Sequence, residues 1–84
     1  DLDYNKVIDY GPMFVDYNYI GNNLQYQMLQ VLDNYSINNN YTYALVTIHP
    51  DNIYSIKNIL KDNFELINIV ELKRGTRNIY LKKL

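Results

Sequence analysis

The 84-residue chain has no cysteine and no tryptophan, one histidine, one alanine, two prolines and three glycines. Without cysteine there is no disulfide framework, no thiolate nucleophile and no cysteine-ligated zinc or iron–sulfur site. A single histidine, His49, cannot build a multi-histidine metal centre. Neither sign of charge is in surplus. Eight Lys and Arg against nine Asp and Glu leave a net charge of -1, and the pI is near 5.6. Bulk charge therefore gives no reason to expect a nucleic-acid partner. The longest unbroken apolar stretch is Tyr43–Val46, far short of a membrane span. No basic-then-apolar leader is visible, and the expected compartment is the cytoplasm.

What is present is globular chemistry: 48% apolar and 20% charged residues, enough for one small domain and too apolar for a disordered chain. Asn occurs 13 times, Tyr and Ile 10 times each and Lys 6 times. All four have A/T-rich codons, so the bias reads as a low-GC bacterial genome, and the abundance of tyrosine is not evidence of tyrosine chemistry. Acidic residues dominate residues 1–42 and basic residues dominate 43–84, as for two differently solvated faces of one domain.

Hydrophobic periodicity gives the order β-α-β-α-β-β. Residues 7–15 are strand-like but interrupted by Gly11-Pro12, which implies an edge strand or a bulge. Leu24, Met28, Val31, Leu32 and Tyr35 share one helical face and are the expected core stripe of a first helix. Tyr43–Ile48 is nearly all apolar, as for a strand covered on both faces. Pro50 then stops the strand, and Asp51 and Asn52 are N-cap candidates for a second helix carrying Ile53, Ile56, Ile59 and Leu60. Asn63 suits a left-handed residue just past that helix. Residues 64–72 and 77–84 flank Lys73-Arg74-Gly75-Thr76 as a hairpin. The first strand–helix–strand unit should be a right-handed parallel crossover. Its loop, residues 16–23, has one Gly and three Asn that tolerate left-handed backbone, so it is a candidate anion site at a helix N-terminus.

Two segments carry a more specific signal. Residues 49–52 read His-Pro-Asp-Asn after a strand, and the next helix ends in Lys61-Asp62-Asn63-Phe64 before another strand. Twenty-odd residues earlier stands Ile20-Gly21-Asn22-Asn23-Leu24-Gln25. Together these resemble the C-terminal, acetyl-CoA-binding half of a GNAT-family N-acetyltransferase, over roughly residues 7–84. The resemblance implies a GNAT-like α/β (α+β) fold with a mixed sheet, a bulged first strand and a C-terminal hairpin, as a single partial domain over residues 1–84. It implies acetyl-CoA as cofactor and an amine as acceptor. Ile20, Gly21, Asn22, Asn23, Leu24 and Gln25 would cradle the pyrophosphate, chiefly through backbone N–H groups. Met13, Phe14 and Val15 would line the pantetheine arm, and Asn52 and Ser55 would reach its other side.

This chain departs from the family pattern in three ways. Ile20 stands where Arg or Gln is usual, and Asn23 and Gln25 replace two glycines, leaving Gly21 alone. Ile59 occupies the position at which many relatives carry a Tyr that protonates the CoA thiolate. His49 is a candidate base, since imidazole titrates near neutrality, or a strand-end residue capping a turn. Asp9 and Asp16 are candidates for holding the amine, and Lys57, Lys61, Arg74 and Arg77 for meeting CoA phosphates. Each has solvated surface as its alternative. The third departure is length, since the family's N-terminal strands and helices, which form the acceptor pocket, have no counterpart here. The resemblance thus implies an inactive fragment, completed by a missing N-terminal half or a homodimer partner. The alternative is a non-catalytic GNAT-like binding or assembly module that pairs through its exposed first strand.

Overall fold

The computed structural model describes residues 6–12 and 23–84. In chain order these form β1 (Val7–Pro12), α1 (Leu24–Asn38), β2 (Tyr43–Ile48), α2 (Ile53–Lys61), β3 (Glu65–Leu72) and β4 (Gly75–Lys83). The sheet order is β1-β2-β4-β3. β1 runs parallel to β2, while β4 is antiparallel to both β2 and β3. The fold is thus the mixed α/β arrangement expected. The two crossovers, β1-α1-β2 and β2-α2-β3, advance in the same direction across the sheet. With right-handed connections they place both helices on one face.

The Gly11-Pro12 interruption is a bulge. Pairing steps from Asp9↔Leu45 to Pro12↔Thr47, so β1 carries one extra residue. Gly11 adopts φ 82°, which a side chain would oppose, and its N–H donates to Asp9 Oδ1 at 2.7 Å. Asp9 therefore braces the bulge. α2 is capped as anticipated: Asn52 Oδ1 accepts from the Ser55 N–H at 3.1 Å, and Asn63 is left-handed at φ 68°. Leu72 pairs with Gly75 across the hairpin, and Thr76 donates to Glu71 Oε1 at 2.7 Å. No helix among the described residues is long and apolar enough to cross a membrane.

The buried core is Leu29, Ala44, Val46, Ile48, Ile59, Phe64 and Tyr80, flanked by Ile8, Tyr10, Ile56 and Leu84. Two expectations fail here. β2 is not covered on both faces: Ala44, Val46 and Ile48 are buried beneath the helices, while Tyr43, Leu45 and Thr47 are only half-buried. Nor is the Leu24, Met28, Val31, Leu32, Tyr35 stripe of α1 the core. Met28, Val31 and Tyr35 are 61%, 63% and 57% exposed, and the helix instead buries Leu29, Asp33 and Ser36. On α2, Ile53 and Leu60 are likewise exposed, leaving Ile59 and Ser55 as its buried residues.

The physical reason is a buried polar cluster that α1 must face. The Tyr10 hydroxyl donates to Asp33 Oδ1 at 2.6 Å and lies 3.3 Å from Ser36 Oγ, which donates to the Leu32 carbonyl at 2.7 Å. Lys82 Nζ meets Asp33 Oδ2 at 2.7 Å and Asp62 Oδ1 at 3.2 Å. Gln30 donates to the same Asp62 oxygen at 2.7 Å. The Phe64 ring closes the cluster, edge-to-face on Tyr10 at 6.1 Å and 5.9 Å from the Lys82 ammonium. Hydrogen-bonded partners from β1 and β4 make it acceptable to bury this polar side of α1.

Candidate functional site

Two helix N-termini meet at one end of the domain. α1 begins after Asn23, whose φ of 59° is left-handed and whose side chain makes no capping hydrogen bond. Its hydrogen-bond ladder opens with the Gln27 N–H on the Asn23 carbonyl at 3.1 Å. Asparagine tolerates this backbone because its short polar side chain lessens the left-handed penalty. Such a helix start carries the positive end of the macrodipole. α2 begins after the short turn following β2. There the Asp51 N–H donates to His49 Nδ1 at 3.0 Å and Asn52 caps Ser55.

Gln25 clasps the two helices together. Its Nε2 donates to Ser55 Oγ at 2.7 Å, and its Oε1 accepts from Asn58 Nδ2 at 2.8 Å. Ser55 is wholly buried in this contact. Asn23, Leu24, Gln25, Asn52 and Ser55, expected from two distant segments to serve one site, thus lie on the two helix starts joined by this clasp. The side chains of Gln25 and Ser55 bind each other, so an anion here would be held through backbone N–H groups and the helix dipole. Met13, Phe14, Val15, Ile20, Gly21 and Asn22, expected at the same site, lie outside the described residues, as does Asp16.

The catalytic candidates fare differently. Ile59 is fully buried in the core, and a hydrocarbon side chain donates no proton. His49 is exposed and caps the turn after β2 through Nδ1. Asp9 is committed to the bulge. Lys61 stacks over the Tyr26 ring with Nζ 4.1 Å from its centroid, and Arg77 donates to the Thr76 carbonyl at 2.7 Å. Lys57 and Arg74 are exposed.

The clasp partner Asn58 and the Tyr10–Asp33–Asp62–Lys82 cluster have no counterpart in the sequence reading. One signal for them was available. Gln25, Leu29, Asp33 and Ser36 follow offsets of 4, 8 and 11, the same face periodicity as a core stripe, but with polar residues interleaved.

No protein-family model matches the chain, and no curated protein does. Solved structures do. An aminoglycoside acetyltransferase, AAC(6')-Ib, in complex with coenzyme A matches with TM-score 0.70 at 18% identity, over 84% of this chain and 42% of its own. The microcin C7 self-immunity acetyltransferase MccE, in complex with acetyl-CoA and AMP, matches with TM-score 0.73 at 19% identity, over 96% of this chain and 48% of its own. The chain has the GNAT-like fold of these acetyltransferases and spans less than half their length.

Proposed function

We propose that this chain is the cofactor-holding part of a GNAT-type acetyltransferase, which transfers acetyl from acetyl-CoA to an amine once the rest of the fold is present. The observation that carries the reading is the paired helix starts, joined by the Gln25–Ser55–Asn58 clasp, within a fold shared with acetyltransferases solved with coenzyme A or acetyl-CoA bound. The residues fit such a group at this end. Asn23 supplies the left-handed entry to α1 that the usual glycine would, and a helix N-terminus suits a pyrophosphate. Acetyl-CoA would supply an activated thioester. Ile20, Gly21, Asn22, Asn23, Leu24 and Gln25 would bind its phosphates, chiefly by N–H groups, and Asn52 would order the facing turn.

The isolated 84-residue chain binds CoA weakly and is inactive. Ile59 cannot protonate a leaving thiolate, and less than half of the matched fold is present to shape an acceptor pocket. A steady-state assay with acetyl-CoA and a panel of amines should show no acetyl transfer above the uncatalysed rate. Turnover by the isolated chain would refute the inactive assignment.

A second reading has its own support. β1 has β2 as its sole strand partner among the described residues, and the outward stripe of α1 is apolar and exposed. An unpaired edge beside apolar surface favours pairing with another polypeptide. In this reading the chain is a non-catalytic assembly module that pairs through its first strand with another protein or a second copy. Light scattering tests pairing between copies: a dimer or larger species supports it, and a strict monomer contradicts it.

A further inference from the structure

The buried cluster beneath α1 contains two carboxylates and one ammonium. Asp33 is 6% exposed and Asp62 3%, and Lys82 bridges Asp33 Oδ2 and Asp62 Oδ1. Tyr10 from β1, Gln30 from α1 and Lys82 from β4 contact the pair directly, with Ser36 of α1 behind the Tyr10 hydroxyl and Phe64, ahead of β3, against Tyr10 and Lys82. Lys82 is the one cation among them. Fully ionised, the cluster would keep an uncompensated negative charge away from water, a costly arrangement. It would also leave one acceptor unmatched. Asp62 Oδ1 receives Gln30 and Lys82, but Asp62 Oδ2 is buried with no donor.

A single proton removes both defects. We propose that Asp33 and Asp62 are a proton-sharing carboxyl pair, with the proton on Asp62 Oδ2 directed at Asp33, and that losing it loosens the packing of α1 and the C-terminal end of α2 on the sheet. Asp33 is the ionised member, because it receives the Tyr10 hydroxyl and the shorter contact from Lys82. The electrostatics point the same way. Burial, then the hydrogen bond with Asp33, pushes the Asp62 carboxyl up to about 6. Burial also pushes Asp33 up, but hydrogen bonds from Asp62, Lys82 and Tyr10 outweigh it and hold Asp33 below its ordinary value. Burial lowers Lys82, and its two carboxylate partners more than reverse that. Burial and the bond to Asp33 raise the Tyr10 hydroxyl, so it stays a donor.

The sign follows from linkage. Asp62 binds its proton more tightly folded than unfolded, so its contribution to stability is full in acid and is lost as pH rises through about 6. Asp33 works in the opposite sense, and its contribution is lost as pH falls through the lower carboxylate range. The pair is therefore most stabilising in mildly acidic solution. Between pH 5 and pH 8 loss of the Asp62 proton alone lowers the folded-to-unfolded ratio about tenfold.

The test combines urea unfolding of the 84-residue chain at pH 5, 6.5 and 8 with carbon-detected NMR titration of the Asp62 side-chain carboxyl. The proposal expects the unfolding midpoint to fall as pH rises, and Asp62 to titrate near pH 6. Asp62→Asn, a neutral mimic of the protonated acid, should flatten that dependence and match or exceed the parent at pH 8. Flat or rising stability from pH 5 to 8, or an Asp62 titration in the ordinary carboxylate range, overturns it. The NMR arm needs no variant to fold, and neither arm depends on CoA binding.

Discussion

At the scale of single residues, Ile59 stands where the resemblance to the GNAT family implies a proton-donating tyrosine. It is packed with no exposed surface among Leu29, Val46, Ile48 and Phe64 of the core. A tyrosine placed at this position would overpack the interior. Ile59→Tyr should cost about 1–3 kcal/mol of stability, read as a lower urea midpoint, with no gain in acetyl transfer. Gly11 is the converse case, because its positive φ leaves a side chain strained even though the space is open. Gly11→Ala should destabilise by about 1–2 kcal/mol, read in the same urea assay. Residue-scale signals of this kind were legible in the sequence. The Gly11-Pro12 bulge, the Asn52 cap and left-handed Asn63 each follow from local backbone chemistry, which needs no knowledge of distant partners.

At the scale of elements, β2 and the order of strands and helices were legible, whereas the buried side of α1 was not. Apolar periodicity selects Leu24, Met28, Val31 and Tyr35, on the assumption that polar residues face water. Asp33 and Ser36 turn inward because their partners, Tyr10 and Lys82, arrive from β1 and β4, 23 to 49 residues away. No local pattern encodes such pairing. Substitution on the two sides of the helix distinguishes the alternatives. Leu29→Ala should cost about 2–5 kcal/mol, whereas Val31→Lys should stay within about 0.5 kcal/mol of the parent, both by urea unfolding. The reverse ranking would place the predicted apolar stripe in the core after all. If the assembly reading holds, Val31→Lys should also shift the light-scattering mass toward the monomer.

At the scale of the whole molecule, β2 is buried on one face and half-buried on the other, β1 and the largely exposed β3 are the sheet's two edges, and α1 carries an exposed apolar stripe. The candidate site was legible as two segments, because the residues before α1 and before α2 carry the motifs, and the Gln25–Ser55 clasp joins the helices they open. What remained illegible is how Gln25 spends its side chain, since Ser55 and Asn58 lie 30 and 33 residues further on. Whether these helix starts hold CoA, as proposed, is read by titrating CoA to millimolar concentration into the isotopically labelled chain and following backbone amide shifts. Weak, saturable shifts concentrated at Asn23, Leu24, Gln25 and the Asn52–Ser55 turn are expected. An absence of shifts at millimolar CoA, or shifts confined to the β3–β4 hairpin, would contradict the proposal.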